Sequence, residues 1–170
     1  MTRWLSLGDE ADFAAAALAF LCRAAGVPLA HDLAHPPLGA PPRRDAPGAP
    51  LLSTRADALP AALLVTVGAD PDEVAARRDA ATRVVAPASL ALPGAIPYGL
   101  LEEGALWAAV PAPGAVFEVY GGGTFLGRVG APLPGPRYAA TLVGAIAFAA
   151  EIAGVPVRDA LELASRFPGA

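Results

Sequence analysis

Apolar positions change their spacing several times along the chain, and each change predicts an element. Arg3–Leu7 is a short, mostly apolar run of strand type. Phe13, Ala17, Phe20, Leu21 and Ala24 then recur at the spacing of one helical face, which predicts a helix over residues 9–25. Asp9 and Asp12 form a carboxylate-rich start expected to cap it, and Gly26-Val27-Pro28 is a helix stop. Residues 28–60 are dense in proline, which lacks an amide donor and fixes φ. A loop or extended crossing segment is expected there rather than a strand or helix.

Residues 62–67 are a continuous apolar run between Pro60 and Gly68, the pattern of a strand covered on both faces. Residues 70–80 follow as a helix with Pro71 in its first turn, and residues 83–86 as another strand. Strand, helix and strand in this order make a βαβ unit and hence a parallel pair. Residues 87–104 read as irregular, with Pro97-Tyr98-Gly99-Leu100 as a turn. Residues 106–110 and 116–129 are expected to extend the sheet in antiparallel fashion, the latter as a hairpin about Gly121-Gly122-Gly123. Residues 138–153 and 156–167 then carry helical periods, the first strongly apolar and the second amphipathic.

Composition narrows the chemistry. The chain has 170 residues, 55% of them hydrophobic and only 16% charged, with a net charge of −4. That length fits one domain with a sizeable core, and the acidic balance argues against nucleic acid. All 12 basic residues are arginine, so no lysine is present to hold a phosphate, form a Schiff base or become carbamylated. The one cysteine, Cys22, excludes an internal disulfide and a cysteine-based metal cluster, and its apolar surroundings predict a buried thiol. The first residues resemble no cleavable leader, and residues 13–22 and 139–150 are shorter than the ~20 residues that cross a bilayer. A cytoplasmic location is expected.

The order of Tyr98-Gly99-Leu100, the hairpin, Leu133-Pro134-Gly135, the Ala-rich segment closing at Gly154-Val155-Pro156, and Ala160-Leu161 before Phe167-Pro168-Gly169 resembles the closing part of the central, ATP-binding domain of the Mur ligases. The likeness runs over residues 63–170, with a weaker echo in residues 3–28. It implies an α/β fold: a mostly parallel, three-layer sheet of P-loop-NTPase or Rossmann-like topology with a small antiparallel hairpin extension. It also implies a single domain over residues 1–170, in which the proline-rich 28–60 replaces part of the family's nucleotide and metal region. Where that family has a P-loop, Arg23-Ala24-Ala25-Gly26 matches the helix end. The glycine, lysine and hydroxyl positions then fall on Ala11, Asp12 and Phe13, with Gly8 as the first glycine. A P-loop needs backbone amides about the phosphates, a lysine, and a hydroxyl for Mg²⁺. Asp9, Glu10 and Asp12 repel phosphate instead. The family's His-Asn and further Asn near adenine correspond to Arg137, Tyr138 and Thr141.

Other motifs weigh less. His31-Asp32-Leu33-Ala34-His35 resembles a zinc-binding HExxH, but Asp replaces Glu and Pro36-Pro37 breaks the helix the motif needs. Solvent-exposed loop histidines are expected. Gly121–Gly123 lies between strands and suits a hairpin turn better than a phosphate cradle. Glu102-Glu103 suits a solvated turn, and Arg77-Arg78 a helix surface with local ion pairs. Trp4, Trp107, Phe148 and Ile152 are expected in the core or an interface.

No catalytic, cofactor-binding or metal-binding residue is assigned, and no cofactor is expected. The expected role is a non-catalytic Mur ligase-like module that binds a protein partner or itself, linked to peptidoglycan synthesis or division. The alternative is a small-molecule-binding protein or enzyme with an altered ligand in the crevice at the strand ends, lined by Arg137, Tyr138 and Thr141 with Arg137 facing an anion.

Overall fold

The computed structural model describes residues 2–33, 48–55 and 59–168. Its strands are β1 (Arg3–Leu7), β2 (Ala30–His31), β3 (Leu51–Ser53), β4 (Ala62–Val65), β5 (Arg83–Pro87), β6 (Ile96–Leu100), β7 (Trp107–Ala112), β8 (Val116–Gly121) and β9 (Thr124–Gly130). Its helices are α1 (Ala11–Ala24), α2 (Pro71–Ala76), α3 (Pro136–Glu151) and α4 (Val157–Ala164).

The central strands are apolar at almost every position because both their faces are covered. On β1, Trp4 points into one layer while Leu5 and Leu7 point into the other. Strand β4 divides in the same way, Ala62 and Leu64 against Leu63 and Val65, as does β5, Val85 against Val84 and Ala86. Among the described residues the strands form one sheet in the order β2-β3-β1-β4-β5-β6-β7-β8-β9. Pairs from β2 through β7 are parallel, and β7-β8-β9 are antiparallel, so β7 joins the two regimes. The mostly parallel α/β sheet and its antiparallel extension are those expected from the sequence.

The two faces are covered unequally. Helices α1, α3 and α4 pack on one face around Phe13, Leu18, Leu142, Ile146 and Phe148. The other carries Val74 of the short α2 and Leu90, Leu92 and Ala95 of the β5–β6 connection. Alanine at 14–17 and 19 of α1, and at 145, 147 and 149 of α3, lets the two helices lie buried on nearly every side. Gly144 has a sharper role. A Cβ there would come within 2.7 Å of the Tyr98 ring, so only glycine lets α3 settle over that ring. The Tyr98 hydroxyl passes beneath and donates to the Val65 carbonyl at 2.9 Å.

Several local expectations are corrected. Residues 28–60 are not free of strand, since β2 and β3 form one edge of the sheet; their prolines, Pro28 and Pro50, flank the pairs instead of interrupting them. The Pro97-Tyr98-Gly99-Leu100 turn is strand β6. Pro97 fits because the β6–β7 ladder begins only at Tyr98↔Trp107, beyond the position where proline lacks a donor. Helix α2 stops at Ala76 rather than residue 80, because Asp79 Oδ1 accepts from the amides of Ala81 and Thr82 and holds a turn there. Arg77 and Arg78 therefore lie beyond the helix, and Arg78 donates to the Pro93 carbonyl at 3.2 Å. Ala24 is exposed rather than part of the buried face of α1. The stop at Gly26 holds: Gly26 and Val27 amides return to the Arg23 and Cys22 carbonyls, a paired closure of the helix end. The hairpin turn is Gly122-Gly123 with φ of 56° and 81°, the two left-handed positions that a twisted two-residue turn requires.

Candidate functional site

In an open parallel sheet the ligand crevice lies at the carboxyl ends of the strands where chain direction switches sides. Here that point is the end of β1, with β3 on one side and β4 on the other. Only Gly8, Asp9 and Glu10 separate β1 from α1, and this connector is tied to the end of β4. Asp9 N–H donates to the Val67 carbonyl at 3.1 Å, and Glu10 N–H to Thr66 Oγ1 at 3.2 Å. Thr66 Oγ1 donates in turn to the Leu7 carbonyl at 3.1 Å. Ala11 N–H turns back to the Gly8 carbonyl at 3.2 Å. Gly8 sits with φ of 112° against Thr66, where any Cβ would overlap the threonine backbone and hydroxyl.

The expected carboxylate cap of α1 is absent. Glu10 occupies the cap position without a side-chain bond to the helix's own amides. Its side chain is 5% exposed and runs to α3 instead, where Thr141 Oγ1 donates to Glu10 Oε2 and Arg137 Nε lies against Oε1 as an ion-pair contact. Arg137 also reaches Asp9 Oδ2 through its Nη2 at 3.4 Å. Arg137 and Asp9 are both substantially exposed, so that second contact is a weak, screened one. Thr141 is 1% exposed, and Tyr98 lies beside it. Burial above all, followed by the Glu10 charge, pushes the Tyr98 hydroxyl well above the ordinary phenol range, so it stays a neutral donor.

Of Arg137, Tyr138 and Thr141, the structure brings the first and third together and turns the second away. Arg137 and Thr141 are four apart on one face of α3 and share the Glu10 carboxylate. Tyr138 packs edge-on against Phe13 at 5.1 Å, and Phe13 meets Phe167 at 5.6 Å. Phe13 is thus a core residue of the first turn of α1. Arg137 does face an anion, but one that the chain itself supplies. Glu10, Thr66 and Tyr98 complete the site. The sequence offered one usable signal for Glu10, an acid that the start of an apolar helix would place in partly buried surroundings.

The remaining candidates disperse. His31 is buried in β2, correcting the expectation of an exposed loop histidine; burial foremost, and then Arg23, lowers its pKa. His35 lies outside the described residues. No group of three metal-ligating side chains occurs among the described residues. Burial pushes the Cys22 thiol up to about 12, which removes its thiolate at neutral pH. Glu103 accepts from the Leu100 amide at 2.9 Å and closes a turn, while the side chain of Glu102 lies outside those described. Trp4, Trp107 and Phe148 are buried, and Ile152 packs partly buried on the core.

No protein-family model matches the sequence, and no curated protein matches it. Solved structures do. The UDP-N-acetylmuramate:L-alanyl-gamma-D-glutamyl-meso-diaminopimelate ligase of Neisseria meningitides superposes with a TM-score of 0.70 at 19% identity over 99% of this chain. The chain has a Mur ligase-like fold. A murein peptide ligase from Psychrobacter arcticus 273-4 gives a TM-score of 0.71 at 15% identity, again over 99% of the chain. The chain spans 66% of the first ligase and 47% of the second. In this Mur ligase-like frame the Gly8–Glu10 connector and the start of α3 meet at the switch point. Among the described residues no helix is long and apolar enough to cross a membrane.

Proposed function

We propose that this chain is a non-catalytic Mur ligase-like domain, a single module over residues 1–170 that binds a protein partner or a second copy of itself. The proposed setting is cytoplasmic peptidoglycan synthesis or cell division. Two structural neighbours bear the names of ligases of murein building blocks, which supports the setting. The observation that carries the non-catalytic reading is the occupied crevice: the buried Glu10 carboxylate already holds Arg137 and Thr141 where an anionic ligand would bind.

The backbone supports the same reading. A phosphate cradle also draws on the amides of its strand-to-helix connector, and here those of Asp9, Glu10 and Ala11 are bonded to Val67, Thr66 and Gly8. Three residues also make a short connector for wrapping a phosphate chain. Separating a buried carboxylate from its arginine costs about 3 kcal/mol, the low end for a buried pair because the arginine is half exposed. An incoming anion must offset that cost before it binds.

Isothermal titration with Mg·ATP, and separately with UDP-N-acetylmuramate, tests the reading. No heat of saturable binding is expected up to millimolar ligand. Saturable nucleotide binding, or release of phosphate from ATP above background, overturns it. Light scattering at micromolar concentration and a pull-down test the interaction role; a monomer that captures nothing removes it.

A further inference from the structure

The contacts of Glu10 describe a binding site as much as a plug. A carboxylate is received in the crevice by two side chains. Thr141 Oγ1 donates to one oxygen and Arg137 Nε lies against the other. Both side chains project from α3, one turn apart, and Thr141 is fully buried. Tyr98, neutral and buried beside Thr141, closes the floor without adding negative charge. Arg137 in contrast is half exposed, so the guanidinium forms the open wall of the site.

We propose that Arg137 and Thr141 form a carboxylate-binding site whose resident occupant is the chain's own Glu10, and that an external carboxylate enters only when Glu10 is absent. The tethered carboxylate acts at an effective concentration far above that of a free small acid, which keeps the site closed in the native chain. With Asp9 Oδ2 already on the guanidinium at 3.4 Å, the added negative charge favours a monoanionic carboxylate over a dianionic phosphate. This inference is independent of the non-catalytic reading: the nucleotide titration of the native chain tests that, and rescue of a variant tests this.

The experiment is chemical rescue of Glu10→Ala. Sodium formate and acetate, titrated against sodium chloride at matched ionic strength, are expected to raise the thermal midpoint of E10A by about 3–6 °C at tenfold excess over Kd. The native chain and the E10A/R137A double variant should show no such rise. Inorganic phosphate is the third arm. An equal response to phosphate replaces the carboxylate preference with a general oxyanion site, and overturns the proposal as stated. A midpoint of E10A that formate does not move, or that it moves equally in E10A/R137A, overturns it outright. Should E10A fail to fold, Glu10→Ser, which vacates the same space and suits the cap position of α1, carries the arginine Nε–H resonance of Arg137 as a second readout. It is expected to shift on loss of the carboxylate and to return towards its native position with formate; a resonance unaffected by E10S or by formate overturns the proposal.

Discussion

Two neighbouring strands, β1 and β4, each pass into a helix at the same end of the sheet, and they do so differently. After β4, Asp70 caps α2 in the ordinary manner, its Oδ1 accepting from the Asp72 amide at 2.9 Å with Pro71 in the first turn. After β1, Glu10 stands at the cap position of α1 but leaves it uncapped, reaching across to Arg137 and Thr141. The α2 junction is local and exposed. The α1 junction is buried and joins residues 131 positions apart. An acid at a helix start thus stabilises its own helix in one case and docks another helix in the other, and burial decides which.

That contrast yields an order of effects. The largest is expected from Arg137→Ala, which leaves the buried Glu10 carboxylate without a compensating charge. Destabilisation of about 2–4 kcal/mol should appear in urea unfolding, and adding Glu10→Gln should recover part of it. Additive losses in that double-mutant cycle would show that the two residues are not coupled. Thr141→Val, similar in shape but without the donor, is expected to cost about 2 kcal/mol, lowering the thermal midpoint by roughly 4–8 °C. Asp70→Ala should cost only about 1 kcal/mol and leave the unfolding cooperativity unchanged. If D70A proves as damaging as R137A, the distinction between the two junctions fails.

The smallest effect concerns acid. His31 has a folded-state pKa below its unfolded value of 6.5, chiefly through burial. The unfolded chain therefore binds the proton more readily. The stabilising contribution is present above pH 6.5 and is lost as pH falls through the window below it. A His31→Phe variant should show a flatter fall in stability between pH 7 and pH 5.5 than the native chain. Identical slopes would remove His31 from the account.

Local periodicity disclosed most of the elements. Strand β1, the β4–α2–β5 unit, the hairpin about Gly122-Gly123 and helix α3 follow from spacing that any half-buried strand or helix must show. Strand β6 did not, because Pro97 and Gly99 signal a turn when read locally. What makes the segment a strand is Tyr98, whose hydroxyl bonds Val65 and whose ring lies under Gly144. Likewise β2 and β3 were hidden among prolines, being too short for an alternation to register. Within the site, Arg137 and Thr141 were grouped by the resemblance alone, since the helix expected from residue 138 left Arg137 outside; α3 begins at Pro136 and sets the two one turn apart. The partner they share was not legible. Glu10 belongs to a different helix, and only the packing of α1 on α3 tells which way its carboxylate turns. Tyr138 went astray for the complementary reason: it lies beside Arg137 in sequence but on another side of the helix, against Phe13.

The position of β1 within the sheet also sets a clock for the chain. Its register joins Arg3 to Leu51 on one side and Trp4 to Ala62 on the other. Strand β1 is therefore an interior strand whose neighbours lie tens of residues further along the chain, which is made at about 5–20 residues per second on a ribosome. For several seconds it carries two open edges, followed directly by the alanine-rich α1. Emergence of β3 closes one of those edges, and β4 then closes the other. The same chain started from denaturant has all its strands available at once, so refolding in vitro and folding during synthesis should differ most in how long this one strand waits.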